Sequence, residues 1–181
     1  MNVDIYLFHL LNDLAESWFL LDFFFYFCAK ILPYFLLLPF FYLLIKDYKK
    51  NLLFVGEAFL TAFLVRYAIC EMIRSLVPRL RPYDFMDGVS LLVPFSDNLS
   101  LPSGHVSFLF ALATVTYFYN KKMSIVLFAL SSLVGISRVY VGVHWPSDIV
   151  AGALVGVLSG LIVFHLVKCS GLTEKLEKKL K

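Results

Sequence analysis

Five long apolar segments dominate the sequence and limit the folds that are open to it. They lie at about 19–45, 51–77, 103–119, 123–142 and 147–167. Each is close to the roughly 20 residues that an α-helix needs to cross about 30 Å of hydrocarbon. Hydrophobic residues make up 60% of the 181 residues, against roughly 45–50% in a soluble domain, so lipid must cover part of the surface. The sequence therefore predicts an all-α membrane helical bundle of about five transmembrane helices, in one domain with its core at 19–167.

The first 18 residues have the pattern of a helix that lies along the membrane surface. Apolar residues recur at helical spacing, and Asp4, Asn12 and Glu16 lie between them. An apolar face opposite a polar one is typical of an amphipathic interfacial helix. The apolar segment that follows is longer than the others and carries Pro33 and Pro39, which predicts a tilted or kinked span.

The distribution of lysines predicts how the helices cross the membrane. Ten of them lie at 46–50, at 120–122 and in the tail 168–181. These stretches follow the first, third and fifth predicted spans and therefore fall on the same side of the membrane. The positive-inside rule makes that side cytoplasmic. We therefore expect a multi-pass protein of the cytoplasmic (inner) membrane with a basic cytoplasmic tail and the opposite helix ends facing outward.

Three polar motifs fall on the predicted outer side. The second span ends in "RSLVPRLRP", the third begins with "PSGH", and the fourth ends in "SRVYVGVHWPSD". Ends of consecutive antiparallel helices are neighbours in a small bundle, so these motifs should converge. The candidate site residues are Arg74, Arg81, Ser103, Gly104, His105, Arg138, His144 and Asp148.

The chemistry of these residues indicates phosphate binding. A guanidinium is always charged, and its planar fork matches phosphate oxygens. Ser103 and Gly104 open a helix whose free N–H groups and dipole favour an anion. Single arginines at a span end are more often anchors that reach for the interface, and a lone interfacial histidine is more often structural. Three motifs on one side favour a functional site.

The two histidines suggest covalent and acid–base catalysis. Pro146 predicts a helix start, which puts Asp148 in the first turn and within reach of the His144 ring. A carboxylate on one ring nitrogen fixes the tautomer and makes the other nitrogen a better nucleophile or base. His105 supplies a second ring that can act as the acid. These patterns do not choose which histidine is the nucleophile.

Taken together, the three motifs resemble the signature of the type 2 phosphatidic acid phosphatase family. The matching segments are Arg74-(six residues)-Arg81-Pro82, Pro102-Ser103-Gly104-His105 and Ser137-Arg138-(five residues)-His144-(three residues)-Asp148. The first motif departs from the family pattern, because Arg74 stands where the family usually has lysine.

The resemblance implies a metal-independent membrane lipid phosphatase without a cofactor. By analogy, His144 attacks phosphorus and forms a phosphohistidine, Asp148 orients it, and His105 protonates the leaving oxygen. The phosphate ligands would be Arg74, Arg81, Arg138, Ser103 and the Gly104 amide.

The substrate is expected to be a phosphorylated or diphosphorylated lipid on the outer leaflet, and no nucleic-acid partner is expected. The loop at 83–101 has only about 19 residues, which is little apparatus for a large sugar headgroup. In its small size and its third motif, the chain resembles the undecaprenyl-diphosphatase branch of the family. Hydrolysis of undecaprenyl diphosphate is therefore the first hypothesis. The alternatives are a lipid A 1-phosphatase, a phosphatidylglycerophosphate phosphatase and, from another class, an anion channel or transporter. A vanadate-dependent peroxidase shares similar motifs, but the apolar spans argue against a soluble enzyme.

Two further patterns concern helix packing. Gly152, Gly156 and Gly160 form a ridge of small residues on the last span, which predicts close packing against another span of the same chain and favours a monomer over a dimer. Lys30 and Arg66 lie within the first two spans. Both are expected to face the bundle interior and to pair with carboxylates.

Overall fold

The computed structural model describes residues 3–94 and 99–171, and its regular elements are helical. The helices are α1 (Val3–Asn12), α2 (Phe19–Lys30), α3 (Leu32–Phe35), α4 (Leu38–Lys46), α5 (Tyr48–Leu64), a π-helix (Val65–Ile69), α6 (Cys70–Leu76), α7 (Pro82–Phe85), α8 (Gly104–Tyr119), α9 (Lys121–Tyr140) and α10 (Pro146–Cys169). The predicted basic tail beyond residue 171, and Ser96, Asp97 and Asn98 of the loop at 83–101, lie outside the described residues.

The helices match the predicted apolar segments closely. Three are long and apolar enough to cross a membrane: Tyr48–Leu76, Lys121–Tyr140 and Pro146–Cys169. The pair Phe19–Lys30 and Leu32–Lys46 would make a fourth span if it crosses as one bent unit. Gly104–Tyr119 is apolar but shorter, at 16 residues. The all-α membrane architecture is confirmed, whereas the count of five spans stays a prediction.

A bend of 48° divides the first predicted span. It falls where α2 ends at Lys30 and α3 begins, with Pro33 in the first turn of α3 and Pro39 in the first turn of α4. Proline has no N–H to continue the preceding helix, and it fits the first turn of a new one. The predicted kink is confirmed, and it opens one side of the bundle near residues 31–37.

Helix α8 is the centre of the bundle. It packs against α5, α9 and α10, and ten of its 16 residues are buried. The main core gathers apolar side chains of α4, α5, α8 and α9, including Phe40, Phe54, Leu112 and Val134. Because its neighbours surround it, α8 is apolar on all sides and shows no polar face.

The predicted glycine ridge packs closely against α8. A Cβ added at Gly152 would lie 2.8 Å from the Ser103 carbonyl oxygen, and one at Gly156 would lie 2.5 Å from the Ser107 carbonyl oxygen. At Gly160 it would lie 2.7 Å from Thr114 Cβ. The absence of side chains on α10 therefore lets the two backbones approach, as predicted for a contact within the chain.

Helix α1 is shorter than the predicted 1–18 helix, ending at Asn12. Val3, Tyr6 and Leu10 on one side of it are exposed, as expected for a surface that meets lipid. The polar face of α1 is partly packed against the protein, because Asn12 on that face is buried. The Asn12 amide donates to the carbonyl oxygens of Ser90 (2.9 Å) and Tyr140 (2.8 Å) and so ties α1 to the segment that follows α7 and to α9.

The two intramembrane cations behave differently. Arg66 is partly buried and pairs with Glu71, as expected. Lys30 is exposed, and its ammonium group donates to the Tyr26 hydroxyl at 2.8 Å. The expectation that Lys30 faces the interior and pairs with a carboxylate was wrong, since a tyrosine one turn away on the same helix satisfies it.

Candidate active site

The three polar motifs meet at one end of the bundle. The end of α6 supplies Arg74 and the start of α8 supplies Ser103, Gly104 and His105. The end of α9 supplies Arg138, and the turn before α10 supplies His144. The His144 ring is close enough to Arg138, Arg81, His105 and Arg74 for each to exert an electrostatic effect on it. The predicted convergence of the candidate residues is present in the fold.

His144 is held from both sides of its ring. Its Nδ1 lies 3.4 Å from Asp148 Oδ2, and its Nε2 lies 3.2 Å from Arg81 Nη1. The side chain is 1% exposed. Burial first, and then the positive charges of Arg138 and Arg81, hold the pKa of the His144 imidazole well below its ordinary value of 6.5. The ring is therefore neutral near pH 7, and its Nε2 lone pair accepts from Arg81 Nη1.

The start of α10 fixes Asp148. Pro146 begins the helix, and the Trp145 backbone N–H donates to Asp148 Oδ2 at 2.9 Å. This is the return half of a capping interaction, in which a carboxylate in the first turn accepts from the residue before the helix. The i, i+4 placement of His144 and Asp148 predicted from the sequence is present, although the distance is long for a hydrogen bond.

Arg79 is a site residue that the sequence reasoning did not assign. Its Nη1 donates to Asp148 Oδ1 at 2.9 Å and to Ser147 Oγ at 2.6 Å. Its Nη2 contacts Asp4 Oδ2 of α1, and Asp4 also accepts from the Ser147 backbone N–H at 2.9 Å. Arg79 therefore connects the N-terminal helix with the carboxylate behind His144. No local sequence pattern reports a contact across 69 or 75 residues.

Three buried guanidinium groups surround the histidines. Arg74, Arg81 and Arg138 are at most 3% exposed. Arg81 Nη1 donates to the Val143 carbonyl at 2.7 Å, and Arg138 Nη1 donates to the Ala29 carbonyl at 3.4 Å. Arg74 Nη1 pairs with Glu71 Oε1 at 2.9 Å, a carboxylate whose side chain is 51% exposed. Like charges gathered in a water-poor place are costly, and a bound anion offsets this cost.

The start of α8 offers donors without a cap. Ser103 precedes the helix and makes no side-chain cap. Its hydroxyl is fully buried and has no hydrogen-bond partner among the described residues. Its backbone N–H donates to the Asp148 carbonyl at 3.1 Å, which locks α8 to α10. A buried hydroxyl beside uncapped helix N–H groups is suited to an anionic oxygen.

An apolar pocket opens beside this cluster, in the direction of the helix bend. It has a volume of about 230 Å³. The residues that line it are Pro33, Tyr34, Leu37, Phe63, Arg66, Tyr67, Gly104, His105, Phe108 and Leu109. His105 is thus shared between the pocket and the charged cluster, an arrangement that fits a ligand with a hydrocarbon tail and a phosphate head.

Fold and site together define a class of protein, an integral membrane lipid phosphatase. The PAP2 superfamily model matches residues 56–171, which is more than half of the chain. The chain belongs to the PAP2 superfamily.

Curated relatives cover much of the chain. The bacitracin transport permease protein BcrC of Bacillus licheniformis is 32% identical over 99% of this chain and 91% of its own length. An undecaprenyl-diphosphatase of Sulfolobus acidocaldarius is 31% identical over 70% of this chain and 62% of its own length. A lipid A 4'-phosphatase of Porphyromonas gingivalis is 30% identical over 67% of this chain and 54% of its own length.

A solved structure shares the fold. The crystal structure of Aquifex aeolicus LpxE is 29% identical, with a TM-score of 0.74 over 91% of this chain and 96% of that chain. Phosphatase relatives and this likeness establish a hydrolase of phosphate esters on lipids. The anion-channel alternative finds no support.

Proposed function

We propose that the protein removes the terminal phosphate of undecaprenyl diphosphate and releases undecaprenyl phosphate. The relative named undecaprenyl-diphosphatase supports this substrate. So does the site itself, in which a cluster of arginines adjoins an apolar pocket. The segment between the first two motifs, at 83–101, has only about 19 residues. A diphosphate on a long hydrocarbon needs little more than charge and apolar surface for recognition.

The observation that carries the proposed chemistry is the setting of His144. Its Nε2 faces Arg81 at 3.2 Å, while Asp148 lies behind Nδ1 at 3.4 Å. With the proton held on Nδ1 toward the carboxylate, the Nε2 lone pair accepts from Arg81 Nη1. When that guanidinium binds a phosphoryl oxygen instead, the lone pair is released to attack phosphorus. His144 is therefore the nucleophile, and Asp148 orients it and stabilises the positive charge that develops on the ring.

His105 serves as the acid in this scheme. It lies in the first turn of α8, between the arginine cluster and the apolar pocket. A leaving oxygen that connects phosphorus to the lipid must point toward that pocket. The negative charge of the bound phosphate favours the protonated form of His105 beside it. Transfer of that proton to the oxygen releases the lipid product, and water then hydrolyses the phosphohistidine.

The remaining residues bind the phosphoryl oxygens. Arg74, Arg81 and Arg138 supply fixed positive charge, and Ser103 Oγ and the Gly104 amide supply neutral donors. The three equatorial oxygens gain negative charge as the transition state forms, and buried donors that are already in place stabilise that charge more than water does. No metal or cofactor is proposed.

We further propose that the site faces outward from the cytoplasmic membrane and that the C-terminus is cytoplasmic. The support is the lysine distribution. Lys46 at the end of α4 and Lys121 at the start of α9 lie at the helix ends opposite the site. Positive residues are retained on the cytoplasmic side of a membrane. The substrate phosphate would then lie on the outer leaflet.

The second candidate substrate is a lipid A phosphate, which the relative named lipid A 4'-phosphatase favours. A comparison of kcat/KM in mixed micelles decides between them, with undecaprenyl diphosphate, lipid A and phosphatidylglycerophosphate measured on one preparation. We expect undecaprenyl diphosphate to be the best substrate. A rate for either rival that is tenfold higher would refute the substrate and leave the phosphatase chemistry in place.

A further inference from the structure

We propose that Arg66 binds the second phosphate of a diphosphate substrate, the one joined to the lipid, and so makes the site selective for diphosphates over monophosphates. This inference rests on the proposed diphosphatase function. Arg66 lies in none of the three sequence motifs and was expected only to form an ion pair.

The position of Arg66 separates it from the other arginines. It belongs to the π-helix Val65–Ile69, which directly precedes α6. It lines the apolar pocket together with Tyr67, Gly104 and His105, whereas Arg74, Arg81 and Arg138 do not line it. Arg66 therefore stands on the lipid side of His105, where a leaving group would lie.

The approach of Arg66 to α8 is close. A Cβ at Gly104 would lie 2.6 Å from Arg66 Nη1 and 2.7 Å from Arg66 Cζ. The guanidinium therefore lies over the N-terminal turn of α8, and it is close enough to His105 to exert an electrostatic effect on the ring. A phosphate held there would meet both the guanidinium and the positive end of the helix.

The local charge leaves room for an anion. Glu71 Oε1 lies 3.3 Å from Arg66 Nη1 and 2.9 Å from Arg74 Nη1, so that one carboxylate serves two guanidinium groups. The Arg66 side chain is 22% exposed, against 4% for that of Arg74. The positive charge of Arg66 is thus only partly neutralised, and its side chain is reachable from the pocket.

The π-helix gives the segment its geometry. A π-helical turn adds a residue to an otherwise α-helical stretch, and such turns are frequent at functional sites. Here it falls between α5 and α6, so Arg66 and Arg74 are not related by simple α-helical spacing. Arg66 lies against Gly104, while Arg74 reaches the Pro102 carbonyl at 3.3 Å.

The reaction explains why this charge matters for a diphosphate. The bond between the bridging oxygen and the terminal phosphorus breaks as the His144 Nε2–phosphorus bond forms. The electron pair goes to the bridging oxygen, which takes the proton of His105 and leaves as part of a lipid monophosphate. Arg66 stabilises the charge of that leaving phosphate. The leaving group of a monophosphate ester is an alcohol, so no phosphate lies at this position.

The experiment uses two substrates that share a hydrocarbon tail, farnesyl diphosphate and farnesyl monophosphate, in detergent micelles. Arg66→Gln keeps most of the side-chain volume and removes the charge. We expect it to lower kcat/KM for the diphosphate by about 10- to 100-fold, the range for a charged hydrogen bond, and that for the monophosphate by less than about threefold. Arg66→Lys should lie between Arg66→Gln and the parent protein on the diphosphate.

Two control variants separate the proposed role from a structural one. Glu71→Gln breaks the same ion pair but leaves Arg66 charged and less neutralised, so it should not lower the ratio of diphosphate to monophosphate activity below that of the parent. Lys30→Met removes a different cation from the apolar segments and should retain the ratio of the parent. Melting temperatures of all variants are measured in the same detergent.

Three results would overturn the inference. One is an equal loss by Arg66→Gln on both substrates, and another is no loss on either. A fall of the ratio in Glu71→Gln as large as in Arg66→Gln would also overturn it, because the ion pair would then be the cause. A parent protein that prefers the monophosphate would instead refute the proposed diphosphatase function.

Discussion

Substitution of Gly152 by alanine should damage both stability and catalysis, because α10 meets α8 there without an intervening side chain. The new Cβ would lie 2.8 Å from the Ser103 carbonyl oxygen and 3.4 Å from Ser103 Cβ. The obstacle is backbone, which cannot rotate aside, so α10 must move away from α8.

The magnitude follows from two opposed effects. Forcing a methyl group into a packed contact costs about 1–3 kcal/mol, and replacing a helical glycine by alanine returns about 0.5–1 kcal/mol. We expect a net loss of about 1–2 kcal/mol in the free energy of unfolding. Gly56 on α5 is the control, since a Cβ there would have nothing within 4 Å; Gly56→Ala should be neutral or slightly stabilising.

Activity adds a test of position. Ser103 N–H donates to the Asp148 carbonyl, so separation of the helices at Gly152 misplaces the start of α8 against His144. A displacement of about 1 Å can cost about 100-fold in rate. Gly160→Ala meets Thr114 instead, farther along α10 from the site, and should lower stability by a similar amount with a smaller effect on kcat.

The assay is unfolding in mixed micelles at increasing denaturant, with kcat measured on the folded protein at low denaturant. The reasoning is refuted if Gly152→Ala is as stable and active as the parent. It is also refuted if Gly160→Ala loses as much kcat as Gly152→Ala.

Arg74→Lys should retain much more activity than Arg74→Ala, since charge at that point matters most; equal kcat/KM of Arg74→Ala and the parent would reduce Arg74 to an anchor. In a protein without native cysteines, a cysteine at Asp87 should react with a membrane-impermeant reagent from outside the cell and one at Asn120 should not; the reverse pattern would move the site to the cytoplasm. Because burial lowers the pKa of His144 in the folded protein, the acid limb of the kcat/KM profile should lie below pH 6.5. For the same reason the unfolded chain binds the extra proton first, so the free energy of unfolding should fall as pH drops below about 6.5; an acid limb above pH 6.5 would contradict a neutral buried ring. Activity should survive excess EDTA, and restoration by magnesium of activity lost in EDTA would overturn the metal-independent mechanism.

Much of the fold could be predicted because hydropathy reports burial in lipid directly. The ends of α9 and α10 fall within about two residues of the predicted segments, and the bend falls at the predicted prolines. The pairing of His144 with Asp148 was also predictable, because an i, i+4 relation across a helix start is local.

What could not be predicted depends on contacts between distant parts of the chain. Arg79 reaches Asp148 because the segment after α6 meets the start of α10, and it reaches Asp4 because α1 lies against the same place. The π-helix that carries Arg66 has no sequence pattern of its own. The sequence placed Asp4 on the polar face of an interfacial helix, whereas Asp4 accepts hydrogen bonds from Ser147.

The central claim is that the terminal phosphoryl group passes to His144. Undecaprenyl diphosphate labelled with ³²P at the terminal phosphorus is mixed with enzyme and quenched in alkali within the first turnover, since phosphohistidine is stable in base and labile in acid. We predict a protein-bound label that maps to the peptide containing His144 and is absent from His144→Ala. Label on the peptide containing His105, or label retained in His144→Ala, would contradict the assignment of the nucleophile.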